Sequence, residues 1–380
     1  MTKLQKILPH LEKRNLLNDK PLFVYDPEEI RENIDFLSDY WKNFLGKKSS
    51  FFYSIKSNPN PDLIRFLDAF VAGFDASSER EFRYLLGLGI PSSRISLSGP
   101  AKTDSFFALA KANPPAALHC DNLEELDLAL AANLPISLRI TVGNYEKLGF
   151  SEPSFLAAVS KLAPGSLMGV HFYLGRESFQ PEAFVKQMQK IQALLSNGDK
   201  KSKDFKIYAG LGMPVKEVLS PLNEHKLTLD HELILECGRS LVSSCGMYIA
   251  PVLAKKRLEQ GKEAVIINGG VQHLGGNLFS PVFGDKLVHC SSYRKNTGIL
   301  ANETKMSVYG SLCLATDCLH PGLLLPKSIQ RGDYLVLSPF GAYGLSASAH
   351  QFILQDLPEE WIFERKNGNL KQSSTKAAFV

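Results

Sequence analysis

Between residues 21 and 242 the chain alternates two kinds of segment. Short β-rich runs end in Gly, Ser, Asn or Asp, and longer runs with apolar residues at helical spacing follow them. The short runs predict eight strands, at 51–55, 71–75, 95–98, 116–120, 136–142, 168–174, 205–209 and 232–236. Between them, 61–67 reads as a helix with Pro61 near its first turn. The segment 77–88 opens on Ser77-Ser78-Glu79-Arg80-Glu81, an N-cap signal with acids in the first turn, and closes at Gly87 and Gly89. Asn122-Leu123-Glu124-Glu125 opens another helix, and 185–195 keeps the same period. Eight strands alternating with helices predict an α/β fold, a parallel (β/α)8 TIM barrel. An open doubly wound sheet is the alternative. No Gly-x-Gly-x-x-Gly follows the first strand, which weakens its dinucleotide-binding form.

After residue 243 the rhythm changes. Strands at 264–268, 287–291, 305–314 and 334–338 are joined by loops rich in Gly and Pro, with little helical pattern. This predicts a C-terminal all-β domain. The division expected is a barrel over 22–242 and a β domain over 1–21 and 243–380. The run 21–25 fits either the first strand of the β domain or the lead-in to the barrel, and the polar stretch 366–380 reads as frayed.

Composition narrows the function classes. Apolar residues make up 44% and charged residues 22% of the 380, a profile that buries a large core. The net charge is only +4, and no Lys/Arg block is interleaved with aromatics, so no nucleic-acid partner is expected. No run of 18 apolar residues occurs and no secretory start is visible, so the expectation is a cytoplasmic protein without a membrane span. None of the six cysteines forms a Cys-x-x-Cys pair, so neither a disulfide framework nor a metal centre is expected.

In a TIM barrel, chemistry sits at the C-terminal ends of the strands. Lys56 follows the first predicted strand, Asp75 and Ser77 end the second, His171, Tyr173 and Arg176 the sixth, Gly210 and Gly212 the seventh, and Glu236, Gly238 and Arg239 the eighth. A lysine at a strand end is usually only a solvated terminus. A barrel mouth, however, desolvates an amine, lowers its pKa and frees its lone pair for a carbonyl. Glycines after strands seven and eight suit a phosphate site, because bare backbone lets N–H groups approach phosphate oxygens. Taken singly, each is as well explained as turn punctuation.

These residues carry a resemblance. Tyr53-Ser54-Ile55-Lys56-Ser57-Asn58 is similar to the Y-A-x-K-A-N signature of the alanine-racemase-fold (fold type III) pyridoxal-phosphate decarboxylases, a family that includes diaminopimelate and ornithine decarboxylases. Gly73-Phe74-Asp75-Ala76-Ser77-Ser78 resembles its G-F-D-x-A-S, and Glu236-Cys237-Gly238-Arg239 its E-P-G-R. Tyr309-Gly310-Ser311-Leu312-Cys313 with Asp317 resembles G-P-x-C-x-x-x-D, and Gly332-Asp333 with Gly341-Ala342-Tyr343 the closing G-D and G-A-Y. The matches run in order along nearly the whole chain.

The resemblance implies pyridoxal 5'-phosphate as cofactor, held by Lys56 as a Schiff base. Glu236 would keep a proton on the pyridine nitrogen, so that the ring stays an electron sink. Gly210, Gly212, Gly238, Arg239 and Tyr343 would bind the phosphate, and Asp75 would sit near Lys56. Cys313 and Asp317 would reach into the partner's barrel in a homodimer with shared active sites. Cys313 would serve there as the acid that reprotonates the α-carbon; outside the motif it would read as a buried small side chain. Arg139, Leu314 and Asp317 are the substrate-binding candidates.

The departures bear on substrate. Tyr173 stands where the family stacks a His on the ring, and Arg176 where it places a phosphate-binding Ser. Leu211 breaks a glycine triplet, and Cys237 replaces a Pro. The Gly169-to-Gly175 pattern resembles the branch serving siderophore and antibiotic pathways. In decarboxylases of basic amino acids, the residue after the motif Cys is acidic and receives the distal ammonium; here it is Leu314. The expectation is decarboxylation of a modified, conjugated or carrier-bound amino acid. The alternatives are a basic amino-acid decarboxylase, a racemase on the same barrel, and a non-catalytic regulatory relative.

Overall fold

The structure is a computed structural model, and it describes residues 6–45, 49–141, 148–174, 181–195, 201–210, 212, 229, 231–274, 289–350 and 352–375. The chain divides into two compact units, one of Met1–Arg31, Ser57–Leu63 and Val242–Val380, the other of Glu32–Lys56 and Ile64–Leu241.

The second unit holds the barrel. With β1 at Leu22–Tyr25, the barrel strands are β2 (Ser50–Ser54), β3 (Gly73–Ala76), β4 (Ile95–Leu97), β5 (Ala117–Cys120), β6 (Ile136–Ile140), β7 (Leu167–Tyr173), β8 (Lys201–Gly210) and β9 (Glu232–Cys237). They close in that order, every neighbouring pair parallel, with β2 pairing β9. Each predicted strand therefore falls on an observed one. The helices start where capping chemistry places them: Ser78, Thr103 and Asn122 each accept a backbone N–H of the first turn of Glu79–Gly87, Asp104–Ala112 and Leu123–Ala131. Glu81 secures the same end, its carboxylate accepting the N–H of Ser77, the residue before the cap, at 2.6 Å.

The barrel interior is packed in layers, as closure requires. Phe52 and Tyr208 meet edge-on with centroids 5.9 Å apart and form a core cluster with Ala117 and Ile234. Two glycines make room for these rings: a Cβ on Gly73 would stand 2.6 Å from the Phe52 ring, and one on Gly169 3.0 Å from Tyr208. Nearer the C-terminal ends of the strands the filling changes from apolar to ionisable.

Among the described residues the first unit holds a sheet of ten strands. β1 lies antiparallel to β10 (Gly246–Arg257) and parallel to β17 (Glu359–Glu364), so residues 21–25 supply a strand of this sheet rather than a lead-in to the barrel. The remaining strands are β11 (Glu263–Ile267), β12 (His289–Arg294), β13 (Gly298–Leu300), β14 (Thr304–Tyr309), β15 (Cys318–Leu325), β16 (Tyr334–Ser338) and β18 (Asn369–Ser373). Its core includes Leu8, Leu11, Val24, Met247, Ile249 and Val336.

Two sequence expectations are corrected here. Residues 369–373 are not frayed: they form β18 against β17, because Leu370 turns into the core while Ser373 donates to Asn60 and Asp62. The strand expected over 305–314 ends at Tyr309. There Gly310 takes a position where a Cβ would collide with the Asp317 carboxylate.

Candidate active site

The apolar run of β2 delivers Lys56 into a single turn, Ile55–Ser57, just past the strand. Its Nζ donates to Ser77 Oγ at 3.2 Å and stands 3.8 Å from Asp75 Oδ2, with the side chain half-exposed. Asp75 itself is buried. Ser98 donates to its Oδ1 at 2.7 Å, and Ser77 and Ser98 share a hydrogen bond of 3.1 Å. Burial and the nearby Glu236 push the Asp75 carboxyl up, opposed by Lys56 and Ser98. The result is an amine at the rim whose counter-charge lies beneath it, linked to it by a hydrogen-bonded chain through Ser77 and Ser98.

Asp75, His119, His171 and Glu236 come from alternate strands, β3, β5, β7 and β9, and replace the branched apolar side chains that usually fill such a layer. His171 Nε2 lies 2.9 Å from Glu236 Oε2. A carboxylate only accepts, so this nitrogen carries the hydrogen. His119 stacks on His171 with centroids 4.4 Å apart and a 25° interplanar angle, and its Nε2 is 3.4 Å from Glu236 Oε1. Burial pushes His171 down to about 3, so the ring is uncharged at neutral pH. Burial pushes Glu236 up, but the two imidazoles outweigh it and hold the carboxyl well below its ordinary range. Among the described residues Glu236 Oε1 is buried without a hydrogen-bond partner. The ligand atoms of His119, His171 and Glu236 lie within 4.8 Å of one another, close enough for a metal ion to use.

Gly210, the last residue of β8, pairs with both Tyr173 and Glu236 in register. A Cβ there would stand 2.9 Å from Tyr173 Cδ2 and 3.6 Å from Glu236 Oε2. The glycine therefore keeps the Tyr173 ring and the Glu236 carboxylate beside one another. A flat heteroaromatic ring with a protonated nitrogen fits this place: Glu236 Oε1 lacks a donor, Tyr173 offers a face, and Lys56 offers an amine at the rim.

The barrel unit thus brings together Lys56, Asp75, Tyr173, Gly210 and Glu236, and carries Gly212 two residues past β8, Gly238 directly after β9 and Arg239 at the start of a short helix, Arg239–Val242. Arg139 is buried on β6, beside His171 in register and 3.8 Å from Asp121. Arg176 lies outside the described residues. The sheet unit carries Cys313, Leu314, Asp317 and Tyr343, the last at φ 53° with its N–H donated to Ser57 O.

Asp317, a substrate candidate in the sequence, also has a structural part. It is buried, its Oδ1 accepts Val271 N–H at 2.9 Å and its Oδ2 accepts Leu312 N–H at 2.8 Å. The carboxylate staples the loop that presents Cys313 and Leu314, both exposed.

Sequence reasoning gave no role to His119 or Ser98. The signal for His119 was present: β5 reads Ala117-Leu118-His119-Cys120, and with Ala117 facing inward the alternation puts His119 inward too.

Fold and site together fit a barrel enzyme that binds a ring cofactor. A profile of the family described as "Pyridoxal-dependent decarboxylase, pyridoxal binding domain" matches residues 31–243. The chain belongs to this family, and it is a pyridoxal-phosphate-dependent amino-acid decarboxylase. Ornithine decarboxylase of Schizosaccharomyces pombe is 24% identical over 327 residues, covering 78% of this chain and 74% of that protein. Ornithine decarboxylase of Caenorhabditis elegans is 28% identical over 371 residues, covering 87% and 84%. Diaminopimelate decarboxylase of Helicobacter pylori, crystallised with L-lysine as an I148L mutant, shares the fold at a TM-score of 0.79 and 22% identity, covering 97% of this chain and 98% of that one.

The Gly210 cradle makes a first prediction. Gly210→Ala forces the added methyl against Tyr173. It should weaken pyridoxal phosphate binding about tenfold or more while leaving the far-UV circular dichroism unchanged. Fluorescence titration of the apoprotein with the cofactor measures this.

Proposed function

We propose that the enzyme decarboxylates an amino acid whose distal end is neutral or acidic: an acylated, citrate-conjugated or carrier-bound amino acid of a biosynthetic pathway such as siderophore synthesis. The enzyme would act as a homodimer in which Cys313 of one subunit completes the site of the other. When bound, pyridoxal phosphate supplies the electron sink for the electrons left as CO2 departs. Lys56 holds the cofactor and Asp75 balances its charge. Glu236 keeps a proton on the ring nitrogen, Tyr173 covers a ring face, and Gly210, Gly212, Gly238, Arg239 and Tyr343 receive the phosphate. Cys313 delivers a proton to the α-carbon.

One observation carries the substrate reading. The turn after Cys313 runs Leu314-Ala315-Thr316, and the nearest acid, Asp317, already accepts two backbone N–H groups. Leu314 is 40% exposed, an apolar side chain where an ammonium would need a carboxylate. A desolvated ammonium without a partner costs several kcal/mol. Arg176 adds a site for a negative distal group. The names of the relatives, ornithine and diaminopimelate decarboxylases, favour the second reading, a free diamino acid.

The test compares kcat/KM for ornithine, lysine and diaminopimelate with that for their conjugates. Conjugates should be preferred, and Leu314→Glu should move the ratio toward free diamino acids by about tenfold or more. Efficient turnover of any free diamino acid by the wild type contradicts the proposal.

A further inference from the structure

His119 is fully buried, and neither of its ring nitrogens has a hydrogen-bond partner among the described residues. An imidazole left so is a costly way to fill space. Its surroundings show what it faces. One ring face lies on His171, an edge contact at 4.8 Å meets Tyr208, and Nε2 stands 3.4 Å from Glu236 Oε1. That oxygen is the one still lacking a donor. β5 and β7 are not neighbours in the barrel, since β6 separates them, so the two imidazoles meet through the interior. The pair approaches the Glu236 carboxylate from both oxygens, His171 on Oε2 and His119 on Oε1.

We propose that His119 is a positioning residue for decarboxylation: it braces His171 by stacking and directs an Nε2–H at Glu236 Oε1, fixing the carboxylate that receives the pyridine N–H of the cofactor. The inference rests on Glu236 as the partner of the ring nitrogen. A carboxylate has about four lone-pair sites, so two imidazole N–H groups and one ring N–H can share it. Each donor to the ionised form makes the carboxylate a weaker base. The shared proton then stays on the ring nitrogen instead of passing to Glu236. His119 thus acts through Glu236 and needs no contact with substrate.

The test uses two cofactors, pyridoxal phosphate and its 1-deaza analogue, in which carbon replaces the ring nitrogen. His119→Phe keeps a stacking ring and removes both nitrogens. With pyridoxal phosphate, this variant should bind about tenfold more weakly than wild type, lower kcat about tenfold with KM within about twofold, and shift the pH dependence of the bound cofactor's visible absorbance. With the deaza analogue, wild type and variant should bind alike. His119→Leu, smaller and also without a donor, gives the same comparison should the Phe variant fail to fold. Equal losses with both cofactors would mean that His119 only packs, and would overturn the proposal, as would wild-type binding and absorbance with pyridoxal phosphate. Glu236→Gln run in parallel separates the underlying reading. If Glu236→Gln weakens both cofactors equally, Glu236 is not the ring-nitrogen partner. If its loss is confined to pyridoxal phosphate while His119→Phe is silent, only the role of His119 fails.

Discussion

Replacing Lys56 with alanine should lower decarboxylation by at least about 10³-fold, more than the loss of a typical single general acid or base, while the barrel stays folded. The amine sits in a one-turn segment beyond β2 with its side chain half-exposed, so its removal leaves no buried cavity and little stability is at stake. Asp75, buried beneath it, loses a counter-charge, and its carboxyl, already pushed up by burial, then takes a proton more readily instead of standing as an unpaired charge. The variant should therefore fold, bind pyridoxal phosphate without a covalent link, and turn over substrate at the background rate. Steady-state CO2 release, set beside circular dichroism of the same preparation, measures this. A Lys56→Ala protein with near-wild-type turnover would remove Lys56 from the chemistry.

The second large effect tests whether the site is shared between subunits. Cys313 and Lys56 belong to different compact units of the chain, and Cys313 is displayed on an exposed loop stapled by Asp317. An exposed cysteine held this firmly suits a group that acts across a subunit boundary. Lys56→Ala and Cys313→Ala homodimers should each be inactive or nearly so. A heterodimer of the two, isolated through one affinity tag on each subunit, contains one intact site and one doubly defective site. It should recover roughly half of wild-type activity per dimer, as expected for an isologous assembly with composite sites. Heterodimers verified by mass and still inactive would show that both groups come from the same subunit or that Cys313 has no catalytic part.

Much of the fold was legible because most barrel strands are short and apolar and several helices open on a capping residue, as at Ser78, Thr103 and Asn122. The sheet was less legible. β10 contains Pro251 and runs from a buried start into Lys255, Lys256 and Arg257, so its pattern changes along its length. β18 is Asn-Leu-Lys-Gln-Ser, whose single apolar residue gives hardly any alternation to detect. At the site, Lys56, Asp75 and Glu236 stood out because ionisable residues end apolar strands. The layer they belong to did not. It arises from side chains on β3, β5, β7 and β9, and only closure of the barrel brings those positions face to face. Asp317 shows the converse: its type suggested an ammonium partner, and only the fold reveals that it also accepts two backbone N–H groups of its own unit.

The point of cofactor attachment tests the role of Lys56 most directly. The holoenzyme should absorb in the visible, lose that band on treatment with borohydride, and yield after proteolysis one modified peptide, carrying the reduced cofactor on the lysine of Tyr53-Ser54-Ile55-Lys56. A visible band whose reduced adduct maps to any other lysine, or a holoenzyme from which no lysine is modified, would contradict it.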